Sequence, residues 1–182
     1  EMIRTFKVRD NYPDFITVDG SEGGTGSAPP EHTNNVGMPL LDGLVMLRGK
    51  MKKWGLDENI KIIASGKIID SFDVVRAIAL GANGVNIARG FMFSMGCIQA
   101  RICHRDRCPV GITTQKKHLI RGLVVEDKYQ RVYNFHRNTI KAVKHLIGGM
   151  PNVENIKDIT ADKVFRRVEG GEIKSLKEIY SL

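Results

Sequence analysis

The three cysteines of the chain, Cys97, Cys103 and Cys108, fall within one twelve-residue stretch, spaced C-x5-C-x4-C and closed by Pro109. Three thiolates on one loop can each bind an iron of a cuboidal cluster. They match a three-iron cluster in number, since a four-iron cluster usually takes a fourth ligand. Zinc is the alternative, with His104 or His118 as the fourth ligand. Three unrelated thiols are the plainest reading of the same residues. An odd number of cysteines argues against a disulfide framework and leads us to expect a reducing, cytoplasmic setting.

A second set of residues could hold an anion. Ser65-Gly66-Lys67-Ile68 and Ala88-Arg89-Gly90-Phe91 each place a glycine beside a cation. Glycine lets backbone N–H groups approach phosphate oxygens with no Cβ in the way, and Lys67 and Arg89 add positive charge. A Gly-Lys pair alone is weak evidence; two such segments one strand–helix unit apart are stronger. The plainer alternative is that Gly66 and Gly90 turn the chain and the two cations are solvated. A third segment, Gly20-Ser21-Glu22-Gly23-Gly24-Thr25-Gly26, carries four glycines in seven residues. That suits a loop passing close to a ligand or to another backbone, although it has neither the G-x-G-x-x-G order nor a following GK[ST].

These segments need elements to position them. Phe15-Ile16-Thr17-Val18-Asp19 is a short apolar, β-branched run that reads as a buried parallel strand. Leu40 to Trp54 carries Leu40, Leu41, Leu44, Val45, Leu47 and Met51 at helical spacing, with Gly55 at its end. Ile60 to Ala64 is a second strand. Asp70 or Ser71 caps a second helix, with Phe72, Val75, Ile78 and Ala79 on its apolar face and Gly81 as its stop. Val85-Asn86-Ile87-Ala88 is a third strand.

Alternation of this kind argues for a parallel α/β sheet, and all three glycine-bearing segments follow strands. Three such strands do not finish a sheet, because each must be covered on both faces. A (β/α)8 barrel takes about 250 residues, so the expected fold is the C-terminal portion of such a TIM barrel, about three βα units over residues 1–115. Residues 116–182 are expected to form a helical extension packed on the barrel, with helices over Tyr129–Leu146, around Thr160–Arg167 and over Leu176–Tyr180, and no further strand.

The chain has 182 residues, 42% of them apolar and 26% charged, the composition of a folded domain with a sizeable core. This excludes a disordered tail, a collagen-like chain and a disulfide-dense module. No apolar run approaches the roughly 20 residues that span a bilayer, and Glu1 to Lys7 has no apolar signal core. The first residue is Glu1, which leads us to expect that the numbering begins inside a longer chain. Lys and Arg exceed Asp and Glu by 28 − 20 = 8. The excess is spread out, with clusters at Lys50 to Lys53, Arg101 to Arg107 and Lys116 to His118. Without an aromatic RNA-binding motif or zinc-finger spacing, it reads as solvated surface plus a docking face for an acidic partner, and no nucleic-acid partner is expected.

Taken in order, these motifs resemble one family. Phe15 to Gly26 is similar to the Gly-Gly-Thr-Gly strand-loop of the FMN-binding domain of glutamate synthase. Ala64-Ser65-Gly66-Lys67-Ile68, Ala79-Leu80-Gly81-Ala82, Ala88-Arg89-Gly90, Gly96-Cys97-Ile98-Gln99, Cys103 and Cys108-Pro109-Val110-Gly111-Ile112-Thr113-Thr114-Gln115 follow in that family's order. The likeness continues through His136-Arg137 and Phe165-Arg166-Arg167-Val168, and is closest to the archaeal-type or stand-alone form.

The resemblance implies an FMN-containing (β/α)8 barrel with a 3Fe-4S cluster, making glutamate from 2-oxoglutarate and ammonia. It implies Cys97, Cys103 and Cys108 as cluster ligands, and Ser65, Gly66, Lys67, Arg89 and Gly90 around the FMN phosphate. The loop of Gly23, Gly24, Thr25 and Gly26 would border flavin and cluster. Implied partners are the remainder of the barrel, a ferredoxin or NAD(P)H-dependent reductase as electron donor, and a glutaminase subunit as ammonia source. The barrel's first strands and a glutaminase domain are not in this sequence, so the chain alone is not expected to be competent. Other FMN or phosphate-binding barrels share the strand ends but not C-x5-C-x4-C. A non-catalytic iron–sulfur electron-transfer or assembly subunit shares the cysteines.

Overall fold

A computed structural model describes residues 1–20 and 28–182 of the chain. Three strands, β1 (Phe15–Asp19), β2 (Lys61–Ser65) and β3 (Gly84–Asn86), form one parallel sheet in chain order. The expected strands are therefore present, with β3 shorter and earlier than the apolar run that announces it. Asn83 fixes its entry: the Asn83 N–H donates to the Ile62 carbonyl at 2.7 Å, and the Asn83 side chain accepts from the Ile62 N–H at 2.8 Å. After Asn86 the ladder stops, and Arg89 already opens a helix.

Side chains alternate across the sheet with period two. Ile62 and Ala64 of β2 are fully buried, and Ile16, Val18 and Val85 pack against the same core. The opposite face carries Phe15, Thr17 and Ile63; Phe15 is 55% exposed, and among the described residues nothing covers it fully. Parallel sheets normally bury both faces.

The first helix, α1 (Met2–Arg9), precedes β1 and buries only Ile3. Between β1 and β2 lie α2 (Pro30–Asn35) and α3 (Leu40–Lys53). On α3, Leu40, Leu44 and Met51 are buried and Leu41, Val45 and Leu47 flank them. Gly20 lets the helix start hard against the end of β1, since a Cβ there would lie 2.5 Å from the Leu40 nitrogen.

The connection from β2 to β3 is α4 (Ser71–Ala79), capped by Asp70. The Asp70 carboxylate accepts from the Phe72 and Asp73 N–H groups at 2.9 Å, and Asp73 reaches back to the Asp70 N–H at 3.3 Å. Such a reciprocal cap stabilises a helix by about 1 kcal/mol. Val75, Ile78 and Ala79 are buried as expected, joined by Val74 and Ala77. Phe72 is not on the buried face. It sits at the flank of the apolar stripe with the Arg76 guanidinium 5.6 Å from its ring centre.

After β3 come α5 (Arg89–Ser94), an irregular loop with a single 3-10 turn at Cys103–Arg105, α6 (Lys117–Ile120) and the long α7 (Val125–Gly148). α7 packs on α4 and α5. Val143 is its buried residue, Val132, Phe135 and Leu146 are half-buried, and Ile140 is exposed.

The C-terminal part departs from expectation. Phe165–Arg167 is a strand, β4, and pairs antiparallel with β5 (Ile173–Ser175). The expected helix through Arg167 is therefore wrong, as is the expectation of no strand beyond Lys116. Strands of three residues rich in arginine carry no readable period. Gly170 and Gly171, both at positive φ, form the hairpin turn rather than a break between helices. The expected helix at Leu176–Tyr180, here α8, is present and capped by Ser175. Ile159, Ala161, Val164 and Leu176 join the same core as the parallel sheet. Among the described residues, no helix is long and apolar enough to cross a membrane.

Candidate functional site

The register aligns Asp19, Ser65 and Asn86 side by side at the C-terminal ends of the three strands. There the Gly20 N–H donates to the Ser65 carbonyl at 2.8 Å. Gly66 follows with φ +143°, and a Cβ on it would lie 2.9 Å from the Gly20 oxygen. Only glycine allows the two strand ends to approach in this way. Lys67 is left-handed as well, at φ +47°, which turns its side chain so that Nζ donates to Asn34 Oδ1 of α2 at 3.0 Å. Asn34 was invisible in the sequence because it sits 33 residues away in a loop-like segment with no motif of its own.

The neighbouring strand end is built differently. Arg89 opens α5 and is half-buried. Gly90 is buried under α7, where a Cβ would lie 2.6 Å from Phe135 Cζ and 3.0 Å from the Ile69 oxygen. That oxygen follows Ser65-Gly66-Lys67-Ile68 in the chain, so the two expected anion segments are neighbours in space. Gly23, Gly24, Thr25 and Gly26 lie outside the described residues.

α5 has six residues and so spans about 9 Å before the cysteine loop begins. Gly96, at φ +99°, ends the helix, and the Cys97 N–H donates to the Met92 carbonyl at 3.0 Å. Gln99, Arg101 and Asp106 then all take left-handed conformations, at φ 55°, 55° and 52°. Non-glycine residues rarely do so, and each costs about 1–3 kcal/mol that the surrounding structure must offset.

Cys97 and Cys103 are half-buried, Cys108 is buried, and all three thiols are free. Burial pushes the Cys108 thiol up, but the N–H groups of Thr113, Val110 and Ile112 and the Thr113 hydroxyl together outweigh it and hold the thiol below its ordinary value. The Thr113 hydroxyl is buried and makes no hydrogen bond among the described residues. A sulfur met by several donors favours the thiolate, the form that binds metal. Three cysteines are thus the right type of donor for a thiolate-ligated centre.

The structure does not assemble such a centre: among the described residues, no three His, Cys, Asp or Glu side chains are gathered around one point. His104 and His118, the alternative zinc ligands, are both exposed, and His104 Nε2 accepts from Arg105 Nε at 3.2 Å.

Residues 1–152 match the conserved region in glutamate synthase. The chain is 44% identical over 135 residues to the glutamate synthase large subunit-like protein YerD of Bacillus subtilis, covering 74% of this chain and 26% of that protein. It is 32% identical over 164 residues to the archaeal-type glutamate synthase [NADPH] of Dehalococcoides mccartyi, covering 90% of this chain and 33% of that protein. It is 36% identical over 146 residues to the archaeal glutamate synthase [NADPH] of Methanocaldococcus jannaschii, covering 79% and 29%. The chain thus spans about a quarter to a third of the length of these relatives. A flavocytochrome b2 variant with benzoylformate superposes with a TM-score of 0.49 at 16% identity, over 97% of this chain and 39% of its own. That likeness is too distant to bear on the site.

Proposed function

The chain belongs to the glutamate synthase family, and from that premise we propose that it forms the phosphate-binding and iron–sulfur end of an FMN-dependent (β/α)8 barrel that makes L-glutamate from 2-oxoglutarate and ammonia. The reaction consumes two electrons and two protons and releases water. The observation that carries the reading is a convergence. The exits of β2 and β3 are neighbours through Ile69 and Gly90, and the cysteine loop leaves the same edge after only the short α5. In α/β barrels this C-terminal edge is where sites are built, with phosphate held at the last strands.

Bound there, FMN supplies hydride transfer and a 3Fe-4S cluster supplies one-electron steps. This chain's own residues bind, orient and tune. Lys67 and Arg89 offset the charge of the FMN phosphate, with Ser65, Gly66 and Gly90 keeping the approach free of bulk. Asn34 holds the Lys67 ammonium toward the sheet edge. Cys97, Cys103 and Cys108 hold the cluster, with N–H donors stabilising charge on the Cys108 sulfur. The uncovered face of Phe15, Thr17 and Ile63 takes the remaining barrel strands. Residues 116–182 form the extension that packs outside the barrel. A ferredoxin or NAD(P)H-dependent reductase supplies electrons, and a glutaminase or free ammonia supplies nitrogen.

The test is elemental and flavin analysis of the anaerobically purified holoprotein. About three irons and one FMN per chain are expected. About one zinc without flavin would sink the reading.

A further inference from the structure

The helix-free face of the parallel sheet ends in a row of polar side chains, and only one of them, Ser65, belongs to the proposed phosphate site. α3 packs on β1 and β2 and α4 on β3, on the side of Ile16, Val18, Ile62 and Ala64. Side chains alternate along a strand, so Phe15, Thr17 and Asp19 point the other way, with Ile63 and Ser65 of β2 and Asn86 of β3. In a closed (β/α)8 barrel that face is the interior. The register sets the rows across it. Thr17, Ile63 and Gly84 form one, and Asp19, Ser65 and Asn86 the next, at the C-terminal mouth. The lower row holds no charge. The upper row is wholly polar, with Asp19 and Asn86 exposed, Ser65 half-buried and a carboxylate at one end.

That carboxylate has the wrong charge for the ligand beside it. Neighbouring strands lie about 4.8 Å apart. Asp19 therefore stands one strand from the exit of β2 and two from the exit of β3, where Lys67 and Arg89 are proposed to meet a phosphate. A negative charge so close disfavours a second one, and it disfavours both carboxylates of 2-oxoglutarate for the same reason. One reactant of the proposed reaction suits it. Ammonium arrives positive. When its nitrogen replaces the ketone oxygen, which leaves as water, the resulting iminium keeps that positive charge, and glutamate carries it as an ammonium on the same carbon.

We propose that Asp19 recognises the nitrogen of the reaction, its carboxylate accepting N–H bonds from ammonium, from the iminium and from the ammonium group of glutamate. This rests on the glutamate synthase reading above. It adds a residue that distinguishes the nitrogen side of the substrate from its carboxylate side.

The test uses the FMN-loaded holoprotein and two probes that differ at one carbon: L-glutamate, with an ammonium there, and 2-oxoglutarate, with a ketone. Equilibrium dialysis reads the binding of each. Asp19→Asn keeps the shape of the side chain and removes its charge. It is expected to weaken glutamate about tenfold or more, the scale of one charge-assisted hydrogen bond, and to leave 2-oxoglutarate unchanged or tighter. In turnover it is expected to raise the KM for ammonium and not the KM for 2-oxoglutarate. Should Asp19→Asn not accumulate, Asp19→Ser carries the same comparison. Unchanged glutamate affinity would overturn the proposal, and so would equal losses for both probes, which a general structural role would give. Loss of FMN from both variants would place Asp19 in the flavin site instead and overturn it too. These outcomes leave the glutamate synthase reading intact, whereas a wild-type holoprotein that binds neither probe would overturn that reading as well.

Discussion

Gly90 separates two explanations of a glycine at a strand end. As a packing residue it makes room for α7; as part of a phosphate cradle it makes room for a ligand. In Gly90→Ala the new methyl would lie 2.6 Å from Phe135 Cζ, with the Ile69 oxygen and Ile87 Cγ2 each at 3.0 Å. Overpacking of this kind costs about 1–3 kcal/mol. Phe135→Leu removes the ring tip but also the edge-to-face contact with Phe91, whose ring centre is 5.0 Å away. Loss of that contact and of buried area costs about 1–2 kcal/mol. If the clash dominates, the double variant is less destabilised than the sum of the singles by at least about 1 kcal/mol. Urea-unfolding midpoints of the holoprotein and its three variants give that coupling. The same four proteins, equilibrated against FMN, report the ligand role: the double variant recovers stability while its flavin affinity stays as low as that of Gly90→Ala alone. Additivity within about 0.5 kcal/mol would refute the packing account, and full recovery of flavin affinity would remove Gly90 from the phosphate site.

Two further outcomes follow from named contacts. Lys67→Ala is expected to weaken FMN retention about tenfold or more, the scale of one charge-assisted hydrogen bond, with Asn34→Ala showing a smaller loss in the same direction; equilibrium dialysis reads both, and unchanged retention in Lys67→Ala would take the lysine out of the site. Acid should loosen the C-terminus. Bonds from the Ser175 hydroxyl and N–H hold the Glu178 carboxyl below its ordinary value of 4.5. A depressed carboxylate contributes stability above its unfolded value, and that contribution is lost as pH falls through the folded one. Hydrogen exchange of the first turn of α8 should therefore rise below about pH 4.5 in the wild type and be high at neutral pH in Glu178→Ala; a profile flat from pH 6 to about 3 would contradict the cap.

What the sequence disclosed and what it hid divide along a physical line. β1 and β2 were legible because burial on one face demands β-branched and apolar residues in a run. α3 and α4 were legible because a helix on a sheet needs a stripe at its own period, and Asp70 because a helix start needs an acceptor for free N–H groups. Phe72 misled because a large apolar residue at the edge of a stripe can satisfy itself on a guanidinium instead of the core. β4 and β5 were illegible because a three-residue strand shows one alternation at most, and their pairing follows from where Gly170 and Gly171 turn the chain.

The site shows the same division more sharply. Gly66, Lys67, Gly90 and the cysteines stand out by type, since glycine beside a cation and thiols in a cluster are rare combinations. Their supports do not. Asn34 and Phe135 are ordinary residues whose roles come from where the backbone sends them: 33 residues back to Lys67, or from α7 onto Gly90. Sequence types name the atoms that do the chemistry, whereas the residues that aim those atoms are chosen by geometry and carry no chemical signature. The supports are therefore where substitution should alter flavin affinity or stability without removing any group that touches the ligand.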